Sequence, residues 1–329
     1  MYIIILSSFL FVQSLYAITP ERCKTQEQIS QEQTKKSTQN AHTIDFQNKK
    51  NLQQITAMQR KVIYKHLLKS GIKKSIAKQV FNLTFLEKPI SSGKAQPEST
   101  MTIDVYISKF LKHEIIAKGF FMQYSKELNE AEEKYDVDKE IITALITMES
   151  LAGLRKGEIN ILNALFTLSY TSSRSEFFTA ELVAAFQLME NSKYHFTFET
   201  NGSWAGAMGY SQFMPSSVLN YAVDGNSDGI VDIINNPVDA IHSAANYLQN
   251  AKWQRNEPVL KELTAQEIAK IEICTAINKP YEDGKLLLPE ILPNERLFVV
   301  YNNYNSIIRW NRSFLFAYTA NHIAQNLKK

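Results

Sequence analysis

The stretch Ala205–Ser217, AGAMGYSQFMPSS, is unlike the rest of the chain. Gly206 and Gly209 stand among small alanines, with Gly202 just before them, so a ligand or a second backbone can approach closely. Tyr210 and Phe213 offer flat faces, and Gln212 and Ser203 offer directional hydrogen bonds. Pro215 fixes a turn, and Ser216 or Ser217 is placed to open the next helix. Together these residues describe a groove for a polar polymer. They describe a tight turn between packed helices equally well.

Outward from this stretch the chain reads as successive helices. Asn236 followed by Pro237 suits the start of a helix through VDAIHSAANYL. Asp138 reads as the N-cap of KEIITALITMES, and Ser173 with Glu176 has capping-box spacing ahead of FFTAELVAAFQLM. A long periodic pattern covers 103–134. Strand-like runs are few, KLLLPEIL near 285–292 and LFVVY near 297–301. The expected class is mainly α (α+β), with a small β portion late in the chain.

With 329 residues, 44% of them apolar, the chain can bury a sizeable core, and a net charge of +3 gives no case for nucleic acid. The opening MYIIILSSFLFVQSLYA, residues 1–17, reads as a secretory signal peptide, with a retained anchor as the alternative. Residues 18–54 read as a flexible polar arm, and 55–100 as a basic helical segment followed by the linker EKPISSGKAQPEST. The lysine-rich part, 61–78, reads as a solvated helix face, with contact to an anionic polymer or membrane as the rival. Residues 101–255 form the expected core, 256–300 a small partly β segment, and 301–329 a closing C-terminal segment. Cys23 and Cys274 are either a bridge in an oxidising compartment or two thiols.

One carboxyl stands out. Ile142, Leu145 and Ile146 mark the apolar stripe of the helix after Asp138, and Glu149 projects from the same face. Desolvation there disfavours the charged form, which suits a general acid. The rival reading is a side chain in the last turn that swings into water.

The run SWAGAMGYSQFMPSS, with PVDAIHSAANYL after it and NNYNSIIRWNRS at 302–313, resembles the membrane-bound lytic murein transglycosylase B family. The resemblance covers roughly 103–255 and resumes at 302–313. It implies a lysozyme-like core with extra N-terminal helices. It also implies cleavage of the β-1,4 bond between N-acetylmuramic acid and N-acetylglucosamine in peptidoglycan, with a 1,6-anhydro product. The family's catalytic Glu maps to Glu149 in the block Glu149-Ser150-Leu151-Ala152-Gly153. Groove positions map to Ser203, Met208, Gln212 and Phe213, with Asn311 from the late block. Tyr210 and Trp310 join them as flat faces. The chain departs from the family at Ala152, usually an aromatic, at Asn163, usually Asp, and at Trp310, frequently Tyr.

The resemblance implies peptidoglycan glycan strands as partner, other cell-wall enzymes as further partners, a periplasmic location, and no required cofactor. A hydrolytic muramidase and a non-catalytic wall-binding protein are the competing readings. A second site is suggested by DGNSDGIVDIIN: Asp224, Asn226, Asp228, the Ile230 carbonyl and Asp232 fall at calcium-loop positions, but Asn235 replaces the bidentate Glu. A structural calcium there is one reading, and an Asx-rich turn is the other.

Overall fold

The computed structural model describes residues 44–92, 101–268, 280–281, 284–287 and 296–329. The signal-peptide reading, most of the polar arm, the end of the linker, Cys23 and Cys274 lie outside these residues.

The chain opens with α1 (Lys49–Lys69), α2 (Lys74–Ala77) leading into a 3-10 turn at Lys78–Asn82, and α3 (Glu87–Ser92). Next come α4 (Ile103–Gln123), α5 (Ser125–Tyr135), α6 (Lys139–Ser150), β1 (Ile159–Asn160), α7 (Ile161–Thr171) and α8 (Ser175–Glu190). Then follow β2 (Asn201–Gly202), α9 (Pro215–Tyr221), α10 (Pro237–Asn250), β3 (Leu260–Glu262) and α11 (Ala265–Ile268). The described chain ends with β4 (Pro280–Tyr281), β5 (Gly284–Leu287), β6 (Phe298–Val300), α12 (Asn302–Trp310) and α13 (Phe314–Leu327). The fold is mainly α with a small β portion, as the pattern indicated.

Local details correct several expectations. The 103–134 pattern is two helices that meet at Tyr124, which has φ −109° and ψ 29°. No Gly or Pro marks the break; the Phe120 and Tyr124 rings, 4.7 Å apart, pack where the chain bends. Helix α1 begins at Lys49, inside the stretch read as a polar arm, where the Asn48 side chain accepts the Asn51 N–H. Ser173 caps nothing: Arg174 is the N-cap of α8, and the Ser172 hydroxyl accepts the Arg174 N–H instead. Helix α9 opens at Pro215 itself rather than at a serine. Ser216 is instead held by buried Glu181, which accepts its N–H at 2.9 Å and its hydroxyl at 2.6 Å. Asn236 does cap α10, accepting the N–H groups of Val238 and Asp239.

Two hydrophobic clusters share the helical body. One gathers α4, α5, α6, α10 and α13 around Ile142, Leu145, Ile146, Leu248 and Phe316. The other gathers α1, α7, α8 and α9 around Ile63, Leu67, Phe166, Leu182 and Phe186. Each fully buried Leu, Ile or Phe contributes about 1.5–3 kcal/mol relative to exposure. Tyr210 and Trp310 pack against both clusters and mark the seam between them.

The late strands form an antiparallel sheet of order β3-β6-β5-β4. Alternation along β6 sends Phe298 into the helical core and Val299 into a small separate cluster with Leu263, Leu286 and Leu297. The β1–β2 pair, Ile159 opposite Gly202 and Asn160 opposite Asn201, fastens the segment after α6 to the start of the glycine-rich stretch.

Candidate active site

Helix α6 is buried along most of its length, and its last turn reaches the seam. Glu149 is half-buried there, and its Oε1 accepts the indole N–H of Trp310 at 2.9 Å. The side chain is therefore held against an aromatic group. The alternative, a last-turn carboxyl loose in water, does not occur.

The chain leaves α6 through Leu151 (φ 51°), Ala152 (φ 54°) and Gly153 (φ 89°), three left-handed residues in a row. Only glycine adopts this region freely, so Leu151 and Ala152 must be fixed by their surroundings. Ser150 supplies part of that fixing. Its hydroxyl donates to the Tyr210 carbonyl at 2.7 Å and accepts the Gly153 N–H at 2.9 Å. Gly153 has its own reason: a Cβ there would lie 2.1 Å from the Tyr210 ring.

The glycine-rich stretch folds as a closed loop. Met208 and Phe213 exchange backbone hydrogen bonds of 2.9 and 3.1 Å, and Gly209 (φ 74°) and Gln212 (φ 46°) make the corners. The Tyr210 N–H reaches the Ile233 carbonyl at 3.0 Å. The Tyr210 ring lies under the Lys156 ammonium at 5.2 Å, and burial pushes its hydroxyl pKa up.

This geometry sorts the residues marked from sequence. Glu149, Tyr210, Trp310 and Phe213 come together. Trp310 lies 5.2 Å from Phe213 and 4.9 Å, edge on, from Tyr247. Asn311 follows Trp310 as the C-cap of α12 and is half-buried. Met208 and Phe213 are 1% and 4% exposed, so they form the floor of the loop and pack into the core. The Ser203 hydroxyl accepts the Ala205 and Ala207 N–H groups, and the Gln212 amide donates to the Lys156 and Gly209 carbonyls. Both side chains thus help build the loop, and both stay half-buried at its surface.

Sequence reasoning missed Ser150 and Tyr247. Tyr247 donates its hydroxyl to the Arg309 carbonyl at 2.7 Å and steadies the end of α12 beside Trp310. Its helical period placed it on α10, but only the fold brings it to Trp310. Asn163, where the family usually has Asp, accepts the Thr84 N–H at 2.7 Å and ties the N-terminal helices to α7.

The calcium-like loop closes on itself. The Asp224 carboxylate accepts the Asp228 and Gly229 N–H groups, and Asp228 accepts the Ile230 N–H and the Asn226 amide. Exposed Ile230 contributes that N–H. Asp232 accepts the N–H groups of Ile234 and Asn235. Asp239, fully buried in the first turn of α10, accepts the Gly225 and Asp232 N–H groups at 2.9 and 2.7 Å. The donors are hard oxygens, but among the described residues no three acidic, His or Cys side chains converge as a metal group. The loop as folded is an Asx-rich turn pinned by Asp239.

A small indentation lies elsewhere, bordered by Asp138, Glu140, Trp253 and Lys328. It sits at the opposite end of α6 from Glu149, about 16 Å along a helix of this length. Its Asp138 carboxylate is already engaged with Trp253, Asn256 and Lys328.

A mainly helical fold with a carboxyl at the end of a buried helix, set beside an aromatic wall, is lysozyme-like. The chain belongs to the family described as the transglycosylase SLT domain, whose family model matches residues 54–325. It is 41% identical over 157 residues to membrane-bound lytic murein transglycosylase B of Escherichia coli, covering 47% of this chain. The match spans 43% of that curated relative, less than half its length. The fold is similar to that of SltB3 from Pseudomonas aeruginosa in complex with NAG-anhNAM-pentapeptide. That similarity has a TM-score of 0.74 and 27% identity, over 83% of this chain and 79% of that one. The Escherichia coli lytic transglycosylase Slt35 in complex with calcium is similar at a TM-score of 0.67 and 27% identity, over 88% and 96%.

Proposed function

We propose that the chain is a peptidoglycan lytic transglycosylase that cleaves the β-1,4 bond between N-acetylmuramic acid and N-acetylglucosamine. The observation that carries this reading is Glu149, held half-buried at the cluster seam by the Trp310 indole. Family membership and the likeness to a transglycosylase bound to an anhydro-muropeptide support it.

In the proposed reaction Glu149 gives its proton to the glycosidic oxygen as the C1–O bond breaks. It then takes the proton of the muramic acid 6-hydroxyl as that oxygen bonds to C1. The proton count closes, and a 1,6-anhydro ring replaces the hydrolytic reducing end. The nucleophile is tethered to the reacting sugar, so proximity supplies part of the acceleration and a second protein carboxylate is not required. This departs from glycosidases that pair two carboxylates across the bond. Tyr210, Trp310 and Asn311 are placed to line the sugar's path.

Digesting purified sacculi and weighing the products tests the reading. Ends one water lighter than reducing ends are expected. Reducing ends alone would make the enzyme a muramidase, and binding without cleavage would make it a wall-binding protein.

The reaction as proposed needs no cofactor. Chelation is expected to leave the rate unchanged, and a loss restored by calcium would show that the 224–232 loop rearranges around the ion. The proposed location is the periplasm, with glycan strands, and other cell-wall enzymes, as partners. Among the described residues no helix is long and apolar enough to cross a membrane.

A further inference from the structure

Residues 49–86 carry eight lysines and Arg60 but no Asp or Glu. The segment is therefore +9, and the remainder of the chain is −6 for a total of +3. This asymmetry lies on folded structure. The inner face of α1 is fixed by buried Ile63 and Leu67 and by a hydrogen bond from the Gln59 amide to the Ser169 hydroxyl at 3.1 Å.

The outward face of α1 follows from its period of 3.6. It reads Met58, Lys61, Val62, Lys65, Leu68, Lys69, and all six are exposed. Beyond α1, exposed Lys74, Lys78 and Phe81 continue the pattern at helical spacing, with the Phe81 ring 5.2 Å from Tyr64. Met58 is 56% exposed and Phe81 43%. Lys73 pairs with Glu190 at 3.6 Å. Lys61, Lys65, Lys69, Lys74 and Lys78 make no ion pair among the described residues.

Lysines alternating with large exposed apolar side chains match the boundary between lipid headgroups and acyl chains. The ammonium groups meet lipid phosphates while the apolar groups and lysine stems enter the apolar layer. A hydrated polyanion would reward the lysines but leave Met58, Val62, Leu68 and Phe81 with no role. We infer that the outer face of α1, continued through Lys74, Lys78 and Phe81, is a docking surface for an anionic lipid bilayer.

The test is sedimentation of the full chain with vesicles of phosphatidylglycerol mixed with phosphatidylcholine. The parent is compared with K61E/K65E/K69E and with M58S/V62S. All three proteins carry the same N-terminus, so any binding through that segment cancels in the comparison. The lysine variant is expected to bind about tenfold more weakly or worse, and the apolar variant severalfold more weakly. Parent binding should fall as salt rises. Both variants should keep the parent's melting curve and its activity on soluble murein fragments, because the altered side chains face outward. Parent-like binding by the lysine variant overturns the inference. A lysine-dependent affinity for sacculi with none for anionic vesicles also overturns it, in favour of a wall polyanion. Unchanged vesicle binding by M58S/V62S would reduce the surface to a charge patch and remove the bilayer as its specific partner.

Discussion

Helix α6 has a carboxyl at each end, and each accepts an indole N–H. Asp138 takes that of Trp253 at 2.9 Å, and Glu149 takes that of Trp310 at 2.9 Å. Asp138 also accepts the Asn256 N–H at 3.2 Å and pairs with Lys328 at 3.1 Å, and it is 4% exposed. It stands at the helix N-terminus, where the dipole favours a negative charge. Glu149 stands in the last turn, where the dipole opposes one, and it is half-buried beside aromatic rings. One helix thus has a carboxylate locked for structure at one end and, at the other, the carboxyl proposed above as the proton donor. An indole partner does not tell the two apart; the helix end and the surrounding charges do.

The sharpest way to break this comparison is to neutralise each end. Glu149→Gln is expected to lower kcat on sacculi by about a thousandfold while leaving the melting curve unchanged. Asp138→Asn should do the reverse, costing about 1–3 kcal/mol in urea unfolding with kcat near the parent's. Exchanged outcomes would mean the roles are assigned to the wrong ends.

Trp310→Phe keeps a ring and removes the indole donor. A fall of up to about tenfold in kcat/KM is expected, since a hydrogen bond that orients the carboxyl is worth about 0.5–1.5 kcal/mol. Ser150→Ala uncouples the helix end from the Tyr210 loop. It should cost about 1–2 kcal/mol and raise KM more than it lowers kcat, as read from steady-state kinetics on muropeptides.

The smallest expected effect is a pH dependence. His242 on α10 is buried, neither ring nitrogen has a hydrogen-bond partner among the described residues, and burial first, then Lys134, push its pKa down against Glu130 and Glu127. A depressed histidine contributes stability fully present above its unfolded value near 6.5 and lost as pH falls towards the folded value. The loss is at most about 1.4 kcal/mol per pH unit from one such group. His242→Leu should flatten melting temperature against pH below that point.

The sequence showed what depends on neighbouring residues. The apolar stripe of α6 placed Glu149 on a buried face, and Asn236-Pro237 marked the start of α10. It did not show what depends on distant partners. Asp138 has cap spacing, but its side chain makes no cap bond, because Trp253, Asn256 and Lys328 reach it from far along the chain. Trp310 meets Glu149 across 161 residues. The burial of Met208 and Phe213 was hidden for another reason: an aromatic or thioether beside glycines has the same composition whether it floors a loop or faces a ligand. Asp239 was overlooked although it organises the acidic loop, because it lies past the stretch that the calcium spacing covers.

The hydrogen bonds from Gln59 to Ser169 and from Thr84 to Asn163 join the N-terminal helices rigidly to α7. Whatever that basic face rests upon, the angle and standoff of Glu149 from it are set by the fold rather than by a flexible tether. Docked on a bilayer as inferred above, the chain would carry a built-in working distance, and only bonds within reach of that fixed height would be open to it.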